Sequence, residues 1–245
     1  MTITLNRRSL LGTAAGYLVA RGLAHAAEAG GGVVELFTSQ GCSSCPPADA
    51  FADELARDPR LTVLTYHVDY WDYLGWKDTL GAAPFSQRQY DYAKARGDMD
   101  VYTPQIIVNG GPHFTGTDKA AVTSALKETA NDGPAMSITT AQDMFNLQIG
   151  AGAAPGEDAM VWLLPLVDAI EVEISKGENA GQKITYYNVV RDVVPAGRWT
   201  GAASTISLPL EPLMPKTCTG CVALLQAGKA GPVLAAARWG KLAHV

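Results

Sequence analysis

Two cysteines separated by two residues lie between a segment with the character of a β-strand and a segment with the periodicity of an α-helix. The strand segment is residues 33–38, the cysteines are Cys42 and Cys45, and the helical segment is residues 47–57. A second strand segment, residues 61–69, follows the helix. A Cys-x-x-Cys pair at a strand-to-helix turn within a β–α–β pattern is typical of redox-active dithiols. The arrangement therefore predicts an α/β fold here, with thiol chemistry at the turn.

The pattern of the chain changes at residue 133. Before this point two more helices and a hairpin are predicted, at residues 84–96, 118–129 and 106–115. After it come short strand segments between turn residues, at 135–139, 144–149, 159–167, 169–175, 183–190, 204–210, 221–226 and 233–239. Short strands separated by turns favour an antiparallel sandwich or barrel. We therefore predict an α/β domain at residues 31–132 and an antiparallel, sandwich-like all-β domain at residues 133–245.

The first 26 residues have the features of an export signal. Arg7 and Arg8 precede an apolar run at residues 10–20, and an Ala-x-Ala sequence follows at residues 24–26. The apolar run is too short to span a bilayer, which takes about 20 residues. We predict a Tat-type signal peptide at residues 1–26 and a mature protein that is periplasmic or secreted, with no stable membrane insertion after cleavage.

Charge and motif content exclude several other functions. The 19 basic and 24 acidic residues give a formal net charge of −5, and no basic block is present, so a nucleic-acid partner is not expected. No glycine-rich nucleotide loop, serine-hydrolase elbow or paired-histidine zinc motif occurs. We predict no cofactor. In an exported protein the cysteines can persist as disulfides.

The Cys42–Cys45 pair allows two interpretations. As a redox pair, Cys42 is the attacking thiol and Cys45 resolves the mixed disulfide; the alternative is a purely structural disulfide. Pro46 and Pro47 follow and have no backbone N–H, so the helix is expected to begin at Ser44 or later. Cys42 then receives less stabilisation from the helix dipole than a cysteine at the N-cap.

A second Cys-x-x-Cys pair, Cys218 and Cys221, precedes the predicted strand at residues 221–226. It lies much further from Cys45 than the roughly 15–20 residues that separate the pairs of a zinc site. We predict a local Cys218–Cys221 disulfide. Electron exchange with the first pair is the alternative.

Residues 33–130 resemble the thioredoxin superfamily in the order strand, Cys-x-x-Cys, helix, strand, helix, then Tyr102-Thr103-Pro104 before a hairpin and a last helix. The resemblance implies a thioredoxin-like α/β domain. It also implies that Pro104 is a cis-proline against the active-site disulfide, and that Thr103 and Pro104 hold the substrate strand. Glu35 lies close to the place where thioredoxins keep a buried proton-accepting carboxylate, although the offset differs; a surface glutamate is the alternative.

A closer resemblance rests on five strings. They are Glu35-Leu-Phe-Thr-Ser-Gln-Gly-Cys-Ser-Ser-Cys-Pro-Pro, His67-Val-Asp-Tyr-Trp-Asp-Tyr-Leu-Gly-Trp, Val101-Tyr-Thr-Pro-Gln, Gly177-Glu-Asn and Asn188-Val-Val-Arg. These resemble a family of secreted thioredoxin-like proteins, the domain of unknown function 1223. The resemblance covers nearly the whole mature chain. It implies no particular activity, because the function of that family is unassigned.

Four further residues are candidates for substrate binding. His67 and Asp69 end the second strand segment, and Trp71 and Trp76 lie in an aromatic loop at residues 70–85. The loop leaves the carboxyl end of a strand, the edge where ligands bind in open α/β sheets. It can form a lid over the disulfide, or it can pack against the second domain.

We predict thiol–disulfide exchange with a protein substrate, in a direction that the sequence leaves undetermined. One alternative is a metal carrier in which the two thiolates and His67 bind copper or zinc. A redox-inert adaptor that uses the aromatic loop is the other.

Overall fold

The computed structural model describes residues 31–128, 133–156 and 159–244. The predicted signal peptide at residues 1–26 lies outside these ranges. Within them, no helix is both long enough and apolar enough to cross a bilayer.

The first part of the chain folds into elements whose bounds lie within one or two residues of those predicted. They are β1 Val33–Thr38, α1 Pro46–Ala56, β2 Thr62–His67, α2 Ala83–Arg96, β3 Gln105–Val108, β4 His113–Thr115 and α3 Lys119–Glu128. A single 3₁₀ turn, Asp72–Leu74, lies in the aromatic loop. β1 and β2 are buried along their whole length, including polar residues such as Glu35 and His67.

The second part is formed mostly by strands. They are β5 Met136–Ala141, β6 Met144–Ile149, β7 Ala159–Glu173, β8 Lys183–Val190, β9 Val194–Trp199, β10 Ser204–Pro209, β11 Gly220–Ala227 and β12 Val233–Gly240, with a short helix, α4, at Leu210–Leu213. The predicted strands 159–167 and 169–175 are one 15-residue strand, β7. β9 and α4 were not predicted.

One mixed sheet of nine strands runs through both parts of the chain. Its order is β12-β11-β7-β8-β2-β1-β3-β4, with β9 paired to β7 beside it. β5, β6 and β10 form a separate three-stranded sheet. Strands make up 40% and helices 20% of the structure. The predicted fold class, a thioredoxin-like α/β domain followed by an antiparallel sandwich-like domain, is therefore wrong.

The correction has a physical reason at the edge of β2. A strand at a sheet edge leaves a row of backbone N–H and C=O groups unpaired, and proteins cover or pair such edges. β8, from the second part of the chain, pairs in parallel with β2, with Thr65 opposite Val189. The Thr65 hydroxyl also donates to the carbonyl oxygen of Tyr187. The predicted boundary between residues 132 and 133 borders a gap in the described residues and stays a prediction.

The two faces of the large sheet have different coverings. On one face, called here the α2 face, α2 covers a core that includes Phe37, Tyr66 and Trp162. On the opposite face, the α1 face, α1 and α3 cover Val34 and Leu36. The three-stranded sheet covers the same face further along, over β7, β11 and β12. Because side chains alternate along a strand, each residue of β1 and β2 belongs to one face only.

Candidate functional site

The turn between β1 and α1 carries a disulfide between Cys42 and Cys45, whose Cα atoms are 5.4 Å apart. The N–H of Cys42 donates to the carbonyl oxygen of Ser39, and that of Cys45 to the carbonyl oxygen of Cys42. α1 begins at Pro46 with Cys45 as its N-cap, so the prediction that the helix begins at Ser44 or later is confirmed. The Ser44 hydroxyl lies 3.3 Å from Cys42 Sγ, where it can donate to a thiolate.

Cys42 and Cys45 differ in their access to solvent. Cys42 is 6% exposed and borders a cleft, whereas Cys45 is 0% exposed. The cleft has a volume of about 260 Å³. Its lining residues are Gly41, Cys42, Ser43, Ser44, Trp71, Leu74, Thr103 and Glu178. An incoming group therefore meets Cys42 and not Cys45.

A cis peptide bond joins Thr103 to Pro104, as the resemblance implied. Cys42 Sγ lies 3.8 Å from the carbonyl oxygen of Thr103. Gly116 donates its N–H to the carbonyl oxygen of Pro104, at 2.9 Å. A Cβ at Gly116 would lie 2.7 Å from the Cβ of Ala48 on α1 and 3.0 Å from that of Pro104, so glycine permits this close approach. Pro104 is thus held between β4 and α1, beside the cysteine turn.

The aromatic loop divides between the cleft and the second part of the chain. Trp71 lines the cleft and donates its indole N–H to the Thr103 hydroxyl at 2.7 Å. Tyr73 stacks on Trp71 and is 76% exposed. Trp76 instead approaches Gly177, where a Cβ would lie 3.0 Å from the Cβ of Trp76. Trp71 occupies the position expected of a lid, and Trp76 has the packing position that was the alternative.

The loop between β7 and β8 holds the cysteine turn from the other side. Asn179 is 2% exposed and donates its amide to the carbonyl oxygens of Gln40 and Cys42, at 3.0 and 2.9 Å. Glu178 accepts from the N–H of Ser43 at 3.2 Å, and hydrogen bonding from the Ser43 side chain, together with this N–H, lowers the pKa of Glu178. We did not predict a site role for either residue, although the Gly177-Glu-Asn string was a signal.

Asp49, one helical turn after Cys45, is the buried carboxylate of this site. Its N–H donates to the carbonyl oxygen of Cys45. Neither carboxylate oxygen has a hydrogen-bond partner among the described residues. Burial raises the pKa of Asp49 to about 7, and the nearby Thr38 hydroxyl and His67 ring offset only part of this rise. Asp49 was not predicted as a site residue, because an acidic residue in the first turn of a helix is expected for reasons of helix stability alone.

Known proteins similar to this chain identify its family. The protein-family sequence model described as "Protein of unknown function (DUF1223)" matches residues 33–226 of this chain. The chain belongs to the DUF1223 family. A crystal structure of a protein from Agrobacterium tumefaciens has 36% identity, covers 89% of this chain and 96% of that one, and gives a TM-score of 0.76.

A second solved structure, HBP35 of Porphyromonas gingivalis, has 13% identity and a TM-score of 0.52, and the match covers 86% of this chain and 75% of that one. This likeness concerns the fold alone. Comparison with curated proteins gave no significant match. The resemblance to DUF1223 proteins is confirmed, and the wider resemblance to thioredoxins is not.

Glu35 of this DUF1223 protein lies on the face of the sheet opposite to the cysteine turn. Phe37, two residues further along β1 and therefore on the same face of the sheet as Glu35, belongs to the α2 face. There Glu35 accepts two hydrogen bonds from Arg88, at 2.6 and 2.9 Å. Tyr92 also donates to it. The sheet therefore separates Glu35 from α1, and the surface position considered as its alternative does not occur, since Glu35 is 0% exposed.

His67 and Asp69 are engaged away from the cleft. His67 is 0% exposed, and its Nδ1 lies 2.9 Å from Asp78. Burial opposes ionisation of Asp78, but the His67 ring and backbone N–H groups together lower its pKa. Asp69 accepts from the Ser86 hydroxyl on α2. Within the described ranges, no three His, Cys, Asp or Glu side chains converge as metal ligands.

Cys218 and Cys221 are free thiols, so the predicted local disulfide between them is not present in the structure. Cys221 is the second residue of β11, and its side chain belongs to the core beneath the three-stranded sheet. Cys218 lies in the preceding turn. Burial raises the pKa of both thiols, which makes them weak nucleophiles at neutral pH.

Proposed function

We propose that this DUF1223 protein is a thiol–disulfide oxidoreductase that acts on protein substrates through Cys42 and Cys45. The observation that carries the proposal is the unequal access of the two sulfurs: Cys42 borders the cleft and Cys45 is enclosed beneath it. In this exchange the accessible sulfur of Cys42 meets the substrate, and the enclosed sulfur of Cys45 completes the internal disulfide.

Each step of the exchange transfers one sulfur–sulfur bond. A substrate thiolate attacks Cys42 Sγ, the Cys42–Cys45 bond breaks, and Cys45 leaves with the electron pair as a thiolate. A second substrate thiolate then attacks the substrate sulfur of the mixed disulfide. This forms the substrate disulfide and releases Cys42 as a thiolate. Reduction of a substrate disulfide follows the same steps in reverse, and the reduction potential sets the direction.

The surroundings of the cleft support a polypeptide substrate. Trp71 and the exposed Tyr73 present an aromatic surface beside Cys42, and aromatic side chains are enriched where proteins bind each other. In this proposal the protein works in the periplasm or outside the cell, where disulfide exchange has protein substrates. The twin-arginine signature at residues 1–26 supports this location.

Trapping of a mixed disulfide tests the proposal. The wild type is expected to accelerate both the reduction of insulin by dithiothreitol and the oxidation of reduced ribonuclease A. Cys42→Ser is expected to abolish both activities. Cys45→Ser is expected to accumulate a covalent complex with the substrate through Cys42, because the resolving thiol is absent.

The matched control is the double variant Cys218→Ser, Cys221→Ser, which removes the two free thiols and is expected to retain full turnover. Activity that survives in Cys42→Ser, or a wild type no faster than the uncatalysed reactions, would show that the Cys42–Cys45 disulfide is only structural.

Trp71→Ala and Trp76→Ala are expected to have different effects. Trp71→Ala lowers kcat/KM for insulin by about 10- to 30-fold, since aromatic anchors at interfaces contribute around 2 kcal/mol, and it leaves the reduction potential unchanged. Trp76→Ala lowers the free energy of unfolding by about 2 kcal/mol, because it removes packing against Gly177 and a hydrogen bond to Gln40. Turnover and denaturant unfolding of both variants measure these effects. Loss of stability without loss of turnover in Trp71→Ala contradicts a docking role for Trp71.

A further inference from the structure

A cluster of buried polar atoms without partners lies between α1 and the sheet. The atoms are Thr38 Oγ1, both carboxylate oxygens of Asp49, His67 Nε2 and the Tyr186 hydroxyl. None makes a hydrogen bond of ordinary geometry among the described residues, although the Thr38 hydroxyl is close enough to Asp49 to lower the pKa of its carboxyl. Unpaired buried polar atoms are uncommon in folded proteins, and each one calls for an explanation such as a catalytic role or an ordered water. Four such side chains together, directly behind the disulfide, indicate a functional arrangement.

The cluster is next to Cys45 because of the geometry of α1. Cys45 has helical backbone angles and accepts the N–H of Asp49 at 3.1 Å. Residues four apart on a helix lie on the same side, with Cβ atoms about 5–6 Å apart. Both side chains are buried, so they share the space between α1 and the α1 face of the sheet.

The strands β1, β2 and β8, which pack against α1, each contribute a polar or titratable group near Asp49. Thr38 ends β1, His67 ends β2, and Tyr186 lies on β8, with its ring edge-on to His67 at 4.5 Å between centroids. Asp78 stands behind His67 and pairs with it. No lysine or arginine is among the groups that act on the Asp49 carboxyl. Asp49 therefore has no strong positive partner that would keep it permanently ionised, in contrast to Glu35 and Arg88 on the opposite face.

We infer that Asp49 is the proton acceptor of the resolving thiol Cys45, an assignment that rests on the proposed oxidoreductase function. When Cys45 attacks the mixed disulfide, its thiol proton passes to the Asp49 carboxylate and the Cys45–Cys42 bond forms. The bond between Cys42 and the substrate sulfur breaks, and the substrate leaves as a thiolate with the electron pair. In the reverse direction, protonated Asp49 returns the proton to the Cys45 thiolate as it leaves.

The acid–base properties of the cluster suit this role. A group with a pKa of about 7 is partly ionised at neutral pH, so it can take up a proton and release it again. The Cys45 thiol itself is enclosed and cannot pass its proton directly to bulk water. A neighbouring base is therefore needed at the moment of attack.

Reaction of the reduced protein with 5,5′-dithiobis(2-nitrobenzoate) separates the two thiols in time. Attack by Cys42 releases one thionitrobenzoate and leaves a mixed disulfide, and attack by Cys45 releases a second. The experiment uses the Cys218→Ser, Cys221→Ser background, so that only these two thiols react. Asp49→Asn is expected to slow the second release at least tenfold at pH 7 and to leave the first release within twofold of the wild-type rate.

Asp53→Asn is the matched control, since Asp53 is on the same helix, one turn further on, and pairs with Arg57 at the surface. It is expected to change neither phase. If the rate of the second release in Asp49→Asn equals the wild-type rate, the assignment of Asp49 is overturned while the proposed function stands. Absence of the first release in the wild type overturns the proposed function, and the role of Asp49 with it.

The pH profile of the wild type gives the same answer without a substitution at Asp49. The rate of the second release is expected to rise up to about pH 7 and then level off, because it follows ionisation of the acceptor. A rate that continues to rise tenfold per pH unit towards the ordinary thiol pKa of about 8.5 shows that Cys45 ionises unaided, and overturns the assignment.

Discussion

Arg88→Leu is expected to lower the free energy of unfolding by about 3 to 5 kcal/mol, because it leaves the charge of Glu35 buried without its partner. The two side chains are 4% and 0% exposed and are joined by two hydrogen bonds. The Arg88 guanidinium also lies over the rings of Tyr66, Tyr92 and Trp162, at 5.0–6.0 Å from their centroids. Denaturant unfolding of the oxidised protein measures the loss.

Two companion variants show the origin of the effect. Arg57→Leu makes the same change in an exposed ion pair with Asp53 and is expected to cost less than about 1 kcal/mol. The double variant Glu35→Leu, Arg88→Leu removes both charges and is expected to recover most of the stability, because no unpaired charge remains. A loss below about 1 kcal/mol in Arg88→Leu alone would contradict the idea that this pair anchors α2 to β1.

The stability of the oxidised protein is expected to depend on pH through Asp49, with the sign opposite to that of an ordinary paired carboxylate. The folded state raises the pKa of Asp49 from 3.8 to about 7, so between these values the folded chain holds a proton that the unfolded chain has lost. The contribution of Asp49 is therefore fully present below about pH 4 and is lost as the pH rises through 7. From pH 5 to pH 8 this lowers the free energy of unfolding by roughly 3 kcal/mol.

Asp49→Asn is expected to abolish this contribution, so that the variant gains stability over the wild type by roughly 3 kcal/mol between pH 5 and pH 8. Urea unfolding at the two pH values measures the difference. Asp58→Asn is the control here: hydrogen bonding from Arg60, which stays charged throughout this range, lowers the pKa of Asp58, so Asp58 is ionised in both states above pH 5 and its replacement has the same effect at both values. If the difference in the free energy of unfolding between Asp49→Asn and the wild type does not change with pH, the Asp49 carboxyl is hydrated and not buried.

Most elements of the first part of the chain followed from local sequence. α1 begins at Pro46 because Pro46 and Pro47 lack the N–H that a helix interior requires, and proline is accepted in its first turn. α2 ends before Gly97, which adopts a positive φ of 79°. The hairpin predicted at residues 106–115 forms, and Asn109 and Gly110 at the start of its loop both have positive φ.

Two strand errors also have local causes. Asp168 separated the two predicted strands at residues 159–167 and 169–175, but in β7 its carboxylate pairs with Lys241, so a single strand continues through it. β9 was missed because Pro195 and Gly197 are typical of turns. Among the described strands, β9 pairs with β7 alone, and at such an edge position proline is tolerated.

The cysteine turn, the cis-proline loop, most of the strands and helices, and the DUF1223 family could be predicted from the amino-acid sequence. The pairing of β8 with β2, which makes one sheet of both parts of the chain, could not. Nor could the sequence show which buried carboxylate lies behind the disulfide, since Glu35 faces Arg88 on the α2 face and Asp49 faces the α1 face. The reason is physical: local sequence sets backbone conformation and burial, whereas strand pairing and the approach of charged groups depend on contacts between residues far apart in the chain.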